Sequence, residues 1–249
     1  MQTNIVDLYR KYLDIKSEGW IKTKRKGAGG IGYTFETLLN KEEENFPLPD
    51  FKGIEIKTMR KNSKSMLHLL NITPDGDYLF PIKRVLEKLG YPSKTNPKYK
   101  VFQMDVTTQE YTRVGASKRI KLHVNYEEEK LELIAETTSG KNLDINISWS
   151  FELLKEHVEF KLKYLAIVKA YNKIINGIEY FKYCEIKFYE LKDFNKFLWL
   201  IELGIIKVTF NIDVFKNGRR IGEVHDHGTN FSINEAYLCN LYNNIEVDV

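Results

Sequence analysis

The stretch PDFKGIEIKTMRK, residues 49–61, sets an aspartate in a proline-led turn and follows a glycine with the alternating run Ile54, Glu55, Ile56, Lys57. Alternate residues of a strand share a face, so Ile54 and Ile56 point to a core while Glu55 and Lys57 project together from the other side. Gly53 permits a sharp turn into that strand, which lets Asp50 bring its carboxylate near Glu55. Two carboxylates suit a hard divalent ion such as Mg2+, which keeps several waters and completes its shell from a phosphate. A neighbouring ammonium can then orient an attacking water or offset charge growing on phosphorus. The plain alternative is a structural salt bridge between the same charges. Random placement of the chain's 11 Asp, 23 Glu and 30 Lys yields about 0.12 copies of D-x4-E-x-K, so the pattern needs support from its surroundings. CEIKFYE provides an internal control: Glu185-Ile186-Lys187 repeats the tripeptide, but Tyr180 stands five residues ahead of Glu185. That copy reads as ordinary strand with charges facing solvent.

Around the motif, Ile5, Leu8, Tyr9, Tyr12 and Leu13 recur at helical spacing and predict a helix from Asn4 to Lys16, closed by Gly19. KGAGGIGYTFETLLNKEEEN, from residue 26, reads as a glycine loop feeding a second helix with Ile31, Phe35, Leu38 and Leu39 on its buried stripe. Residues 51–60 form the first expected strand. Ile120, Leu122, Val124 and Tyr126 predict one face of another, and YPSKTNPK, residues 91–98, an exposed loop. Helices are expected near 150–160 and from Phe194 to Leu203, the latter capped by Asp193 and stopped by Gly204, with strands at 164–171 and 178–190. Val208, Phe210, Ile212 and Val214 mark a half-buried strand, turned into a hairpin by a type I′ turn at Asn217-Gly218.

At 249 residues with 43% hydrophobic and 29% charged content, the chain fits an ordinary soluble protein, and no apolar run is long enough for a membrane span. The opening MQTNIVDLYRKYLD has neither the pattern of a secretory signal nor that of an anchor. Cys184 and Cys239 lie far apart without CxxC spacing, which argues against a cysteine zinc site and predicts two buried fillers. A net charge of +4 is mild, but it is concentrated in Lys22, Lys24, Arg25, Lys26, in Arg60, Lys61, Lys64, and in Lys216, Arg219, Arg220. Taken singly, each cluster is a solvated face. Gly27 to Gly32 satisfies G-x-G-x-x-G, but KTKRK rather than an apolar strand precedes it, so a dinucleotide site is set aside. These glycines instead allow close backbone approach, with Lys24, Arg25 and Lys26 placed to meet phosphates.

Pro49, Asp50, Glu55 and Lys57 match the PD-(D/E)xK nuclease motif, and KGAGGIGYTFETLLN resembles the glycine-led first helix of its MutH-like branch. DFNKFLWLIELGIIKVTFNIDVFKNGRRIGEVHDHG, from residue 193, resembles the helix, strand and hairpin of that branch, and together these segments are most similar to MvaI-type type II restriction endonucleases. The resemblance implies an α/β fold with a central mixed β-sheet flanked by helices and two lobes around a DNA cleft. The expected division is a catalytic lobe over 1–150 and a DNA-recognition lobe over 151–249. Asp50 and Glu55 would hold Mg2+, Lys57 would position the attacking water, and Glu36 would support the site from the second helix. The expected substrate is double-stranded DNA at CCWGG, where W is A or T, cut to 5′-phosphate and 3′-hydroxyl ends. A monomer with no obligate protein partner and no membrane attachment, in a bacterial cytoplasm, completes the implication.

DNA contacts are expected from Lys24, Arg25, Lys26, Arg60 and Lys61, and from Arg219, Arg220, His225, Asp226 and His227 on the hairpin, since guanine is best read by a bidentate arginine. For His225 and His227, base or phosphate contact ranks first, a salt-bridged hairpin second and a metal third, because no cysteine or third histidine lies nearby. Two other readings stand beside this one: a MutH-like nicking enzyme that answers to a partner protein, and a DNA-binding module without catalysis.

Overall fold

The computed structural model describes residues 1–39, 48–77 and 79–247. The acidic end of the second predicted helix segment, residues 40–45, falls outside them. In chain order the elements are α1 (Gln2–Ser17), β1 (Ile21–Lys22), α2 (Gly30–Leu38), β2 (Glu55–Arg60), β3 (Leu67–Asn71), α3 (Leu79–Leu89) and β4 (Tyr91–Pro92). Then come β5 (Lys100–Val106), β6 (Thr112–Val114), β7 (Lys118–Asn125), β8 (Lys130–Thr137), β9 (Ser148–Ser150), α4 (Phe151–Lys161), β10 (Tyr164–Ile175) and β11 (Ile178–Leu191). The chain ends with α5 (Phe194–Glu202), β12 (Ile206–Val214), β13 (Val224–Asp226), β14 (Asn230–Ile233), α6 (Leu238–Leu241) and β15 (Tyr242–Ile245). No described helix is long and apolar enough to cross a membrane.

These elements form two units, each discontinuous in sequence: Met1–Leu67, Val158–Asp193 and Leu238–Val249 make the first, and His68–His157 with Phe194–Tyr237 the second. The single cut expected at 150 is therefore not how the chain divides. The reason lies in strand pairing: β2 takes β10 as its neighbour, and β10 follows the whole 68–157 segment.

The first unit is built on a mixed five-stranded sheet in the order β1-β11-β10-β2, with β15 also paired to β11. β2 and β10 run parallel, matching Glu55 with Leu165 and Lys57 with Ile167, and the other pairs are antiparallel. Ile56, Ala166, Val168 and Ala170 share one core with Ile5, Leu8, Tyr12 and Ile15 of α1 and Ile31, Phe35 and Leu39 of α2. Spacings of three and four residues put those helical side chains on single stripes, so both helices cover this sheet as amphipathic elements. Leu13, expected on the stripe, is exposed; Ile15 takes the place it would have filled.

Among the described residues the second unit adds two further sheets beside this mixed one. One has the order β3-β14-β12-β5-β4 with β13 beside β12, and the other the order β6-β7-β8-β9. Phe102, Trp149, Phe197, Phe210 and Phe231 are fully buried in this unit, and the Trp149 indole N–H donates to the Ile72 carbonyl at 3.0 Å. That bond satisfies a polar group that burial would otherwise leave costly. Ile120, Leu122 and Val124 are buried as expected, while Tyr126, past the end of β7, is exposed. Neither cysteine is a core filler: Cys184 is half-buried and Cys239 exposed.

The glycine loop owes its shape to close approach. A Cβ on Gly30 would overlap the Arg25 carbonyl and sit 2.8 Å from Thr23 Oγ1, whereas a Cβ on Gly29 meets open space. β1, which precedes the loop, is a two-residue antiparallel edge on β11, unlike the parallel strand of a dinucleotide site. Gly30→Ala should therefore lower stability by about 1–3 kcal/mol through overpacking, while Gly29→Ala should stay within about 0.5 kcal/mol. Equal melting temperatures for the two variants would refute this account of the loop.

Candidate active site

Lys52 and Gly53 both have positive φ, 45° and 87°, the signature of a type I′ turn. Phe51 and Ile54 close it by exchanging backbone hydrogen bonds of 2.9 and 2.8 Å. The turn brings Asp50 back along the start of β2, where its Oδ2 accepts the Ile56 N–H at 2.9 Å. Strand proper begins at Glu55, later than the predicted residue 51, because the intervening residues form this turn.

Glu55 is almost fully buried, and Lys57 Nζ donates to its Oε1 at 2.6 Å. A second ammonium, Lys161 Nζ at the end of α4, stands 3.8 Å from the same oxygen. Burial pushes the Glu55 carboxyl above the ordinary glutamate range; Lys57 opposes the shift, the Asp50 charge adds to it, and Lys161 opposes it further. Oε2 is buried and has no hydrogen-bond partner among the described residues. Tyr242, from β15, is fully buried, with its hydroxyl held protonated first by burial and then by the Glu55 charge. An open cavity of about 800 Å³ reaches Asp50 and is lined also by Pro49, Gly53, Glu159, Phe160 and Lys163.

Asp50, Glu55 and Lys57 thus converge as the sequence suggests. Glu36 lies on α2 where Gly32 lets that helix close on β2: a Cβ there would be 3.1 Å from Thr58 Oγ1 and 3.6 Å from Glu36 Oε1. The Glu36 charge adds to the burial that raises the Tyr183 hydroxyl. Sequence reasoning missed Lys161 and Tyr242, which reach Glu55 from distant parts of the chain and share no motif with it.

The predicted DNA contacts differ in exposure and in how far other side chains engage them. Lys24, Arg25 and Lys26 are exposed beside the glycine loop. Arg60 makes two 3.0 Å bonds to the Glu179 carboxylate and leans on Phe181. Lys61 pairs with Glu185, whose carboxyl is held below its usual range first by that bond, and Lys187 stands 3.3 Å from its other oxygen. The second Glu-Ile-Lys copy is therefore not simply solvent-facing: its glutamate is tied between two lysines.

On the hairpin, Arg219 and Arg220 are exposed in a loop, residues 215–223, rather than beside a two-residue turn. Gly218 has positive φ but Asn217 does not, so the expected type I′ geometry is absent. Arg220 bonds Glu223 at 2.8 Å and lies over the Phe215 ring, on which His225 also stacks. His225 of β13 and His227, just past its end, meet Asp213, which is paired with His225 between β12 and β13. His227 Nε2 is 3.0 Å and His225 Nδ1 3.5 Å from Asp213 Oδ1, with Lys216 Nζ 3.6 Å from Oδ2. Asp226 points elsewhere and accepts the Gly228 N–H at 2.9 Å; burial pushes its carboxyl upward. Asp213 supplies the third donor that the local sequence lacked, and the trio, with donor atoms within 4.8 Å of one another, could take a transition metal. As it stands, its polar atoms bind one another and Lys216.

A mixed sheet with helices on one face and D-x4-E-x-K at the head of a strand defines a PD-(D/E)xK nuclease. The chain belongs to the MvaI/BcnI restriction endonuclease family, whose sequence model matches residues 9–242. It is a type II restriction endonuclease, a site-specific hydrolase of DNA. Among solved structures it is similar to restriction endonuclease MvaI in complex with its cognate DNA substrate, at 30% identity over the whole of both chains and a TM-score of 0.89. The structure of MvaI in the absence of DNA gives 30% identity, coverage of 100% and 99%, and a TM-score of 0.63. No curated protein sequence matches.

The family implies a divalent cation, and the residues at the head of β2 fit one. The buried Glu55 Oε2 is an acceptor without a donor among the described residues, a costly state that a cation relieves. Burial favours the proton on this carboxylate and a cation competes with that proton, so the acid side of the cleavage profile should depend on the cation concentration. Raising the divalent cation tenfold should move its midpoint down by up to about one pH unit. Cleavage rates across pH at two metal concentrations test this, and a midpoint indifferent to metal would remove Glu55 from the site.

Proposed function

We propose that the chain is an Mg2+-dependent endonuclease that hydrolyses both strands of DNA at CCWGG, leaving 5′-phosphate and 3′-hydroxyl ends. The observation that carries the reading is the Ile56 N–H bond that holds the Asp50 carboxylate at the head of β2, beside the buried Glu55. Asp50 and Glu55 Oε2 would hold the ion, which supplies charge neutralisation at the phosphate and a more acidic water. Lys57, fixed by its bond to Glu55, positions the attacking water and offsets charge developing on phosphorus. Glu36 supports the arrangement from α2. The site CCWGG rests on likeness to MvaI-type enzymes, and the similarity to an MvaI complex with its cognate DNA substrate supports double-stranded DNA as partner.

Lys24, Arg25 and Lys26 contact backbone phosphates, which fixes position without reading sequence. Arg60 and Lys61, already paired with carboxylates, add to the positive field from the same edge. Arg219 and Arg220 offer the forked donors that suit guanine, and His225, Asp226 and His227 add shorter polar contacts from the hairpin. The enzyme acts as a cytoplasmic monomer that needs no protein partner.

Asp50→Asn keeps a carbonyl oxygen for the Ile56 N–H but removes a metal-binding charge. It should lower cleavage of a CCWGG duplex by about 10³-fold, several kcal/mol of transition-state stabilisation, while leaving binding to the duplex in place. Retention of cleavage would overturn the assignment. Arg219→Ala and Arg220→Ala should each cost about 1–3 kcal/mol of discrimination between CCWGG and a one-base variant; unchanged preference would take the loop out of recognition.

A further inference from the structure

Lys161 is surplus to the structural needs of Glu55. Lys57 already bonds Glu55 Oε1 at 2.6 Å, and the second ammonium stands 3.8 Å from that same oxygen, while Oε2 has no hydrogen-bond partner among the described residues. Its position is fixed by the fold. Lys161 ends α4, whose last turn is held by the Leu162 N–H to the Val158 carbonyl at 2.9 Å, and the next strand pairs Leu165 with Glu55. Its neighbours Glu159, Phe160 and Lys163 line the cavity that reaches Asp50. The side chain is 32% exposed, so it can leave Glu55 without unmaking the core.

We infer that Lys161 is a phosphate-binding residue that exchanges partners: it lies against Glu55 until a divalent cation takes that carboxylate, and then turns to an oxygen of the DNA phosphate being cut. The inference rests on the metal-site reading above. Three cationic groups cannot share one carboxylate at close range without repulsion, and Lys57 is the one bonded to it. The released ammonium carries a flexible stem and is partly exposed, and a DNA phosphate is the anion that suits it. An ion pair that served only to stabilise the buried Glu55 would, by contrast, leave DNA binding and its salt dependence unchanged.

Lys161→Met separates the two. Removing a positive charge beside Glu55 should tighten Mg2+ binding to the DNA-free protein about threefold or more, since the cation no longer displaces an ammonium. The same change should weaken binding of the duplex in Ca2+ and reduce its log–log salt slope by about one, and it should slow single-turnover cleavage about tenfold or more. Lys161→Arg, which keeps the charge, should leave Mg2+ affinity near that of the natural chain. Unaltered metal affinity or unaltered cleavage in Lys161→Met, in a protein that melts normally, would overturn the inference. Absence of Mg2+-dependent cleavage by the natural chain would instead overturn the reading on which it rests, so the two failures are distinct.

Discussion

One backbone amide organises the head of β2, where the proposed catalytic residues meet. Two carboxylates repel, and nothing in a free peptide would keep Asp50 beside Glu55. The Ile56 N–H does so at 2.9 Å, a charge-assisted bond worth about 1.5–3 kcal/mol, and it is available because the Lys52–Gly53 turn folds Asp50 back along β2. That turn holds a lysine at positive φ, which is mildly strained for a residue with a Cβ. Helix α1 stabilises it from outside: Asn4 Nδ2 donates to the Lys52 carbonyl at 3.0 Å, and Lys52 Nζ pairs with Asp7 at 2.5 Å. The first helix thus contributes packing through Ile5, Leu8 and Tyr12, and through the polar residues Asn4 and Asp7 that flank this stripe it sets the geometry of a carboxylate distant in sequence.

Electrostatics then explains why the site is ready for a cation. Glu55 is buried, with two ammonium groups near one oxygen and, among the described residues, no partner for the other. Burying a carboxylate with one oxygen unsatisfied costs free energy that the fold must supply elsewhere, and the ion pairs on the neighbouring strands do the opposite work. Arg60 with Glu179 and Lys61 with Glu185 are partly buried and hold the edge of β2 across β10 to β11. Stability and readiness are thereby separated in space: paired charges at the end of β2, an unpaired oxygen at its start.

Much of this was legible in the sequence where chemistry is local. The alternation of Ile54 to Lys57, the helical stripe of Ile5, Leu8 and Tyr12, and the strand from Val208 to Val214 all follow from two periodicities. The Asp50 geometry was legible because glycine marks the turn. What stayed hidden was non-local. Asp213 meets His225 and His227 only through strand pairing, Lys161 and Tyr242 reach Glu55 from other elements, and the three sheets cannot be counted from alternation alone. The Asn217-Gly218 pair misled for a related reason: the dipeptide permits a tight turn, but the chain spends residues 215–223 on a wider loop in which Phe215 can stack with His225 and Arg220.

The interleaving of the two units follows from the same non-local pairing. β2 is an edge strand whose paired neighbour is β10, and β10 is separated from it by the whole 68–157 segment. A parallel neighbour requires a crossover, since a tight hairpin joins only antiparallel strands, and here the crossover has grown to include most of the second unit. The environment of Glu55 is then completed by Lys161 just before β10 and by Tyr242 near the chain's end. No single window of sequence contains this site. Its burial, its raised carboxyl and its lysine pair exist only once long-range contacts have closed, so the chemistry of the motif is a property of the assembled sheet and not of the thirteen residues that announce it.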